Sequence, residues 1–438
     1  MNTANKLVIE NRFIRKKVNP LLIIGLGFCF AKQEDYMNKI ILRDEYLQTL
    51  KEFKDKDIIK IVTGIRRCGK STLMQIFQGY LKESGVQADH IIAINFEDYD
   101  YEDLKQPREL YKYIKDRLVD DDMHYVFFDE IQNVEDFPKV VDSLNLKPNV
   151  DLYLTGSNAY MLSSEIATFL SGRYVEVKML PLSFKEYVKA TGDEKELSLK
   201  YQKYLKFSSF PYAMMLDEKE EVINQYLESI YSTVMLKDII SRKKITDVMM
   251  LESVIRFMFD NIGNLTSTKK ISDTMTSDGR KVDVKTVEKY ITALEESFVV
   301  YQAKRYDVKG KNYLKTLDKY YVVDIGLRYM LLGSRNADTG HILENIIYLE
   351  LIRRGYKVYV GKVESEEVDF VAMNSKGIIY YQVAATVREE STLLRELRPL
   401  QKITDHYPKY IITLDEDPDA DYDGIRRINA LQFLLGEE

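Results

Sequence analysis

From Ile58 onward the chain alternates between two periodicities. Apolar runs of strand length, Ile58–Thr63, His90–Phe96, Tyr125–Phe128, Asp151–Thr155 and Tyr174–Lys178, alternate with segments of helical spacing. In Ser71–Lys82, for example, Leu73, Ile76, Phe77, Tyr80 and Leu81 fall on one face of a helix. Strands alternating with helices predict a parallel sheet covered on both faces. This unit is expected over residues 37–190 and ends at a polar break, Thr191-Gly-Asp-Glu-Lys-Glu196. Residues 191–262 then read as a helical lid or connector, with Tyr226, Ile230 and Val234 on one stripe. Residues 263–310 change pattern: a short helix at Lys270–Thr276, a longer one at Val284–Ser297, and a strand pair beginning at Phe298–Arg305. The last part, 311–438, combines a helix, Ile342–Arg354, with strands at Tyr356–Val360, Val368–Ala372, Ile378–Ala384 and Tyr407–Leu414. There is neither an internal repeat nor a low-complexity segment.

Residues 1–36 fit none of these units. Lys6, Arg12, Arg15, Lys16 and Lys17 precede an apolar run, Leu21–Ala31, which is the outline of a secretory signal. The run falls short of the roughly 20 residues a membrane span needs. The expectation is an extension outside the fold, with Met37-Asn-Lys-Ile-Ile opening the folded part; a peripheral membrane anchor is the alternative. At 438 residues the chain has room for two to four domains of about 100–200 residues each. A hydrophobic fraction of 45% and a charged fraction of 30% exclude a disordered tail and a collagen-like fibre. With 63 Lys and Arg against 69 Asp and Glu the net charge is −6, so any nucleic-acid role must sit in a local patch. Two cysteines, Cys29 and Cys68, exclude a disulfide framework and fit a reducing cytosol, hence a cytoplasmic location. The four histidines, His90, His124, His341 and His406, show no metal-ligand spacing along the chain.

The chemistry concentrates after the first strand. Gly64-Ile-Arg-Arg-Cys-Gly69-Lys70-Ser71 matches G-x-x-x-x-G-K-[ST], and it follows a buried strand and opens a helix, the context a phosphate-binding loop requires. Gly64 and Gly69 let backbone N–H groups approach a phosphate, and the helix start adds partial positive charge. Lys70 is expected to reach the β- and γ-phosphates and Ser71 to ligate Mg²⁺, with Arg67 and Thr72 in the same nucleotide-binding stretch. Fifty-nine residues after Lys70, the strand Tyr125-Val-Phe-Phe ends in Asp129-Glu130. Carboxylates at the C-terminal end of a parallel strand face the ligand crevice. Asp129 is expected to hold Mg²⁺ through water and Glu130 to orient and deprotonate the attacking water. Ser157 and Asn158, ending the next strand, either sense a γ-phosphate or make a capping turn. Arg173, in Ser171-Gly-Arg173, suits transition-state charge in cis or from a neighbouring subunit; the plainer reading is a surface salt bridge. Arg66 and Arg67 can instead face a partner or nucleic acid. Cys68 is either oxidisable beside a lysine and a helix terminus or inert filler.

These residues, with Asn95-Phe-Glu-Asp, Phe128-Asp-Glu-Ile-Gln, Leu154-Thr-Gly-Ser-Asn and Leu180-Pro-Leu-Ser-Phe-Lys-Glu-Tyr, resemble the AAA-type P-loop ATPases of bacteria and archaea that carry a C-terminal domain of unknown function. The resemblance extends from about Met37 to the C-terminus and is most specific in the P-loop half. It implies an AAA-type order of strands in the α/β sheet and ATP, rather than another nucleotide, as the bound molecule.

Two further outlines follow downstream. Helix, turn, helix and β-ribbon over 263–310 is a winged-helix pattern. Between residues 266 and 311, ten basic side chains, Lys285 and Lys289 among them, stand against seven acidic ones. That excess of +3 suits either DNA phosphates or a packing role, the latter favoured. In the C-terminal α/β domain, Glu344, Val368-Asp369-Phe and Gln382-Val-Ala384 resemble the restriction-endonuclease-like, PD-(D/E)XK-type arrangement E…D…(E/Q)-x-K. There acids hold Mg²⁺ and a lysine positions water. Gln382 stands at the second acidic position and Ala384 where the lysine belongs, so a retained fold with lost or weakened cleavage is expected. The plain alternatives are Glu344 as a helix-surface acid and Glu350 paired with Arg353 or Arg354; Glu366, Glu367 and Asp369 can still bind a metal. The leading expectation is a slow ATPase that drives a conformational switch, with DNA, a protein or a second copy as partner. An ATP-controlled nuclease and a non-catalytic adaptor are the alternatives.

Overall fold

The computed structural model describes residues 41–159, 172–192, 194–314, 317–333 and 338–437, the side chains of Val234 and Met235 excepted. The N-terminal extension, Cys29 and Ser171 lie outside them. After a first helix, α1 (Asp44–Glu52), come β1 (Ile59–Thr63), α2 (Lys70–Glu83), β2 (Ile91–Asn95), α3 (Pro107–Lys115), β3 (His124–Asp129), α4 (Phe137–Asn145), β4 (Val150–Gly156) and β5 (Tyr174–Lys178). The five strands form one parallel sheet in the order β2-β3-β4-β1-β5.

Side chains alternate across this sheet. Ile59, Ile61, Val126, Phe128, Leu152 and Leu154 pack one face against α3 and α4. Val62, Tyr125, Phe127 and Tyr153 turn to the other face, where α2 contributes Leu73, Met74, Phe77 and Leu81. Burial on both faces explains why the strands read as apolar runs. One position breaks the pattern. Lys60, fully buried in β1, an inner strand, forms an ion pair with buried Asp151 of β4, which also accepts a 2.8 Å hydrogen bond from Tyr153 Oη.

The helical segment holds α5 (Phe184–Ala190), α6 (Leu197–Phe207), α7 (Glu220–Ser229), a π-helical run at Ile230–Lys237, α8 (Asp238–Lys243) and α9 (Val248–Asp260). Then follow α10 (Thr268–Ser277), α11 (Val284–Glu296), β6 (Val300–Ala303), β7 (Arg305–Asp307), β8 (Asn312–Tyr313), β9 (Lys319–Val322) and α12 (Ile325–Leu332). The C-terminal part comprises α13 (Thr339–Arg353), β10 (Lys357–Val363), β11 (Glu366–Asn374), β12 (Gly377–Ala384), α14 (Glu390–Gln401), β13 (Lys409–Thr413), β14 (Ala420–Tyr422), β15 (Ile425–Asn429) and α15 (Ala430–Leu435).

The expected break between residues 310 and 311 falls inside a strand exchange. β6 pairs antiparallel with β9, beyond the break, and not with the residues that follow it. β7 instead joins the C-terminal sheet, parallel to β10, and β8 extends its edge. The result is an eight-stranded mixed sheet, β14-β15-β13-β12-β11-β10-β7-β8. On one side lies α13, whose residues from Ile342 to Leu351 are all buried, Glu344 included, so Glu344 is not a helix-surface acid. Glu350 pairs with both Arg353 and Arg354, as helical spacing allows.

Candidate functional site

β1 ends at Thr63 and the glycine loop turns straight into α2. Gly64 is fixed by contact: a Cβ there would lie 2.1 Å from the backbone oxygen of Met179. Gly69 adopts φ +104° at the cap of α2, a conformation side chains disfavour. Arg43, buried, donates to the backbone oxygens of Cys68 (3.1 Å) and Leu180 (2.7 Å) and pairs with Glu186 (2.6 Å). It ties the loop to the chain after β5, a role that nothing in the local sequence signalled. Cys68 is buried, and burial pushes its thiol pKa up, which makes it inert filler rather than a reactive thiol.

The loop lysine faces the acids. Lys70 Nζ donates to the carbonyls of Gly64 (3.1 Å) and Ile65 (3.4 Å), lies 3.4 Å from Ser157 Oγ, and stands 3.5 Å from Glu130 Oε1. Glu130 is buried, with a left-handed backbone at φ +54°. Burial works against its charge, but Lys70, hydrogen bonds from Ser157 and Gln132, and the charge of Arg66 outweigh it and hold its carboxyl below the ordinary range. Thr155 of β4 links the pair of acids: its hydroxyl donates to Asp129, and it accepts 2.9 Å from the Glu130 backbone N–H.

A cavity of about 220 Å³ opens beside them, lined by Arg66, Glu130, Ser157 and Asn158 from the sheet side and by Asp238, Arg242 and Ser297 from the helical side. Arg66 closes one wall through Asp238 (3.1 Å) and Glu97. Asp238 follows the π-helical run, a distortion that often accompanies functional sites. Asn158 lines the same cavity, and its buried Oδ1 has no hydrogen-bond partner among the described residues. Ser71 and Thr72 begin the first turn of α2, with Ser71 exposed.

The geometry thus brings together Gly64, Gly69, Lys70, Ser71, Thr72, Asp129, Glu130, Ser157 and Asn158. It does not bring Arg173. Arg67 stands in the loop with its side chain exposed. Arg173 precedes β5, whose first residue pairs with Ile59 at the start of β1, so it sits at the end of the sheet away from the loop. There it is half exposed, 3.7 Å from Asp142. Arg66 and Arg242, which the sequence did not single out for phosphate, take the nearer positions. The fit to a nucleotide with Mg²⁺ rests on these donors: backbone N–H groups of a glycine cradle that a Cβ would fill, one lysine, and a hydroxyl and a carboxylate for a hard cation.

The nuclease-like residues also converge. Glu344 from α13, Asp369 from β11 and Gln382 from β12 meet in the C-terminal part. Gln382 Oε1 accepts from the Asp369 N–H (3.2 Å), and its amide donates to Glu396 of α14 (2.8 Å), a helix not expected from sequence. The expected loss of the site's cation needs correcting. Ala384 does stand at the lysine position, but Lys319 of β9 enters from elsewhere, its Nζ 2.8 Å from Glu344, 2.8 Å from Glu367 and 3.4 Å from Asp369. Burial opposes its charge, and the three carboxylates outweigh burial and hold Lys319 protonated. With three acids against one lysine, burial raises Glu344 to about 7. Glu366 points away, to Lys402 (3.2 Å).

The sequence matches the family described as AAA domain over residues 56–188 and a domain of unknown function (DUF8612) over residues 198–338. A Haemophilus influenzae relative described as an uncharacterized protein is 41% identical over 402 residues, 90% of this chain and 99% of the relative. Another, from Methanocaldococcus jannaschii, is 30% identical over 365 residues, 78% of each chain. Among solved structures, the Walker-type ATPase of Pyrococcus abyssi aligns over 67% of this chain and 96% of its own, with 15% identity and a TM-score of 0.47.

Proposed function

The chain belongs to one family with these bacterial and archaeal relatives and carries an AAA domain, and from that premise we propose that it is an Mg²⁺-dependent ATPase whose cycle shifts the helical segment against the sheet. One observation carries the reading: Lys70, Glu130 and Ser157 meet at the mouth of the glycine loop. Lys70 leaves Glu130 for the β- and γ-phosphates, which frees the Glu130 carboxylate to orient the attacking water and take its proton. Ser71 and Asp129 would hold the metal, which when bound neutralises charge developing on the phosphate oxygens. Ser157 and Asn158 sense the terminal phosphate. Asp238 and Arg242 on the far wall give nucleotide state a handle on the helical segment. A catalytic role for Arg173 requires a neighbouring copy to supply it, which makes self-association part of this reading.

Lys70→Ala is expected to lose ATP binding, and Glu130→Gln to bind ATP while hydrolysing it about 10²–10⁴-fold more slowly. Retained turnover in both variants overturns the proposal. A second reading rests on exposed Lys285 and Lys289 of α11, placed to meet DNA phosphates. Binding that is insensitive to salt, or absent, removes it. For the C-terminal part we propose no cleavage: Lys319 fills the space between the acids that a divalent ion would need. Among the described residues no helix is long and apolar enough to cross a membrane.

A further inference from the structure

At the end of the sheet opposite the glycine loop, two histidines that lie far apart in sequence come together. The parallel register of β2 and β3, with Ile91 opposite Tyr125, sets His90 beside His124, and their rings lie 4.5 Å apart. Both are buried. Asp120, on the loop between α3 and β3, reaches in from the surface to within 2.9 Å of His90 Nε2. One ligand atom from each of the three residues falls within 4.8 Å of the others.

The second nitrogen of each ring is already positioned. His90 Nδ1 faces the Asp89 carboxylate at 3.0 Å, and His124 Nδ1 faces the Asp122 backbone oxygen at 2.8 Å. A carbonyl oxygen can only accept, so His124 carries its proton on Nδ1 and presents a lone pair at Nε2. Among the described residues that lone pair receives the Val119 N–H alone, at 3.2 Å. A carboxylate or carbonyl behind Nδ1 is the arrangement that orients metal-bound histidines. Both ring nitrogens of His90 thus face carboxylates, Nδ1 that of Asp89 and Nε2 that of Asp120.

We propose that His90 Nε2, His124 Nε2 and Asp120 form a binding site for a borderline divalent metal ion, of which Zn²⁺ is the type. Two imidazoles and one carboxylate suit zinc, cobalt or nickel and disfavour Mg²⁺ and Ca²⁺, which prefer oxygen ligands. Binding forms two metal–nitrogen bonds and one metal–oxygen bond and releases the His90 Nε2 proton to solvent. It replaces two hydrogen bonds, the one from Val119 N–H to His124 Nε2 and the one between His90 Nε2 and Asp120. The ion fastens the loop over residues 116–123 to the first residues of β2 and β3. Since β3 runs from His124 to Asp129, the site stands about 16 Å along the strand from the acids that serve ATP and is independent of them.

Calorimetric titration of the full chain, without a polyhistidine tag, tests this with Zn²⁺, Co²⁺ and Mg²⁺. The expected result is one equivalent of Zn²⁺ or Co²⁺ bound and no site-specific heat from Mg²⁺. Asp120→Asn, a change at an exposed side chain that leaves the fold intact, is expected to weaken Zn²⁺ at least tenfold. Asp89→Asn, which keeps all three ligands, should weaken it about 10–100-fold, and His90→Gln should abolish it. ATP binding by each variant reports that it has folded. No Zn²⁺ binding by the wild type, or affinity unchanged in Asp120→Asn and His90→Gln, overturns the proposal; unchanged affinity would place the ion elsewhere in the chain.

Discussion

Replacing Lys319 with methionine keeps the length of the side chain and removes its charge. At an effective dielectric constant of about 20, the contacts at 2.8, 2.8 and 3.4 Å correspond to attractions of about 6, 6 and 5 kcal/mol. Most of that only offsets the cost of burying Lys319, Glu344 and Asp369, so the sum is not the lysine's net contribution. Taking one partner from a buried ionic cluster costs about 3–5 kcal/mol, because the charges left behind have no counterion. In the variant, Glu344, Glu367 and Asp369 face one another unbalanced, and proton uptake is their main relief. Glu344, already raised to about 7 by burial, loses the lysine that opposed that rise, so the folded variant binds an extra proton from about pH 4.5 upward and its stability falls as pH rises through that window. In the wild type, Lys319 has a raised folded pKa; its contribution is complete below about pH 10 and is lost only at more alkaline pH, outside this range. Urea unfolding at pH 8 and pH 5, followed by circular dichroism, is expected to show a deficit of about 3–5 kcal/mol at pH 8 that shrinks at pH 5. Millimolar Mn²⁺ should recover stability in the variant and leave the wild type unchanged. A deficit below about 1 kcal/mol, or one of equal size at both pH values, refutes the convergence of three acids on this lysine.

Gly64→Ala places a methyl group against the Met179 backbone oxygen and is expected to cost about 3 kcal/mol and to abolish ATP binding, read by thermal unfolding and nucleotide titration. Lys60→Met leaves Asp151 uncompensated in the central sheet and should cost about 3–5 kcal/mol, whereas Lys60→Met combined with Asp151→Asn should cost clearly less; a double variant worse than the single one counts against the pairing. Glu295 on α11 is raised to about 7 by burial, above its unfolded value, so it lowers folding stability as pH rises from about 4.5 to 7. Glu295→Gln should flatten that slope and stabilise the protein at pH 8 by about 1–3 kcal/mol, measured by urea unfolding.

The nucleotide half was legible because its signals are local. Gly64, Gly69 and Lys70 sit within one loop, and Asp129-Glu130 follow the strand that must lie near it. What escaped depends on contacts between distant segments. Lys319 could not be assigned to the acids of the C-terminal part, because it arrives on a strand that pairs with β6 and its own neighbours carry no motif. His90 and His124 looked scattered along the chain, although one immediately precedes β2 and the other opens β3, its parallel neighbour, a signal that comparing strand starts would have found. For Arg173 the structure speaks only against the reading within one chain, and it stands 3.7 Å from Asp142. Its tripeptide pointed to the phosphate, but the register of β5 on β1 carries it to the far edge. Arg242 became a cavity residue only through the packing of α8, which follows the π-helical run, beside the sheet.

The swap of β6 and β7 between neighbouring layers has a practical corollary. A gene fragment ending at residue 310 would code for a ribbon without its mate, and the complementary fragment for a sheet lacking an edge. The two pieces are therefore expected to be insoluble when expressed apart and soluble when co-expressed, and a protease nick between them should leave a particle that migrates intact until it is denatured.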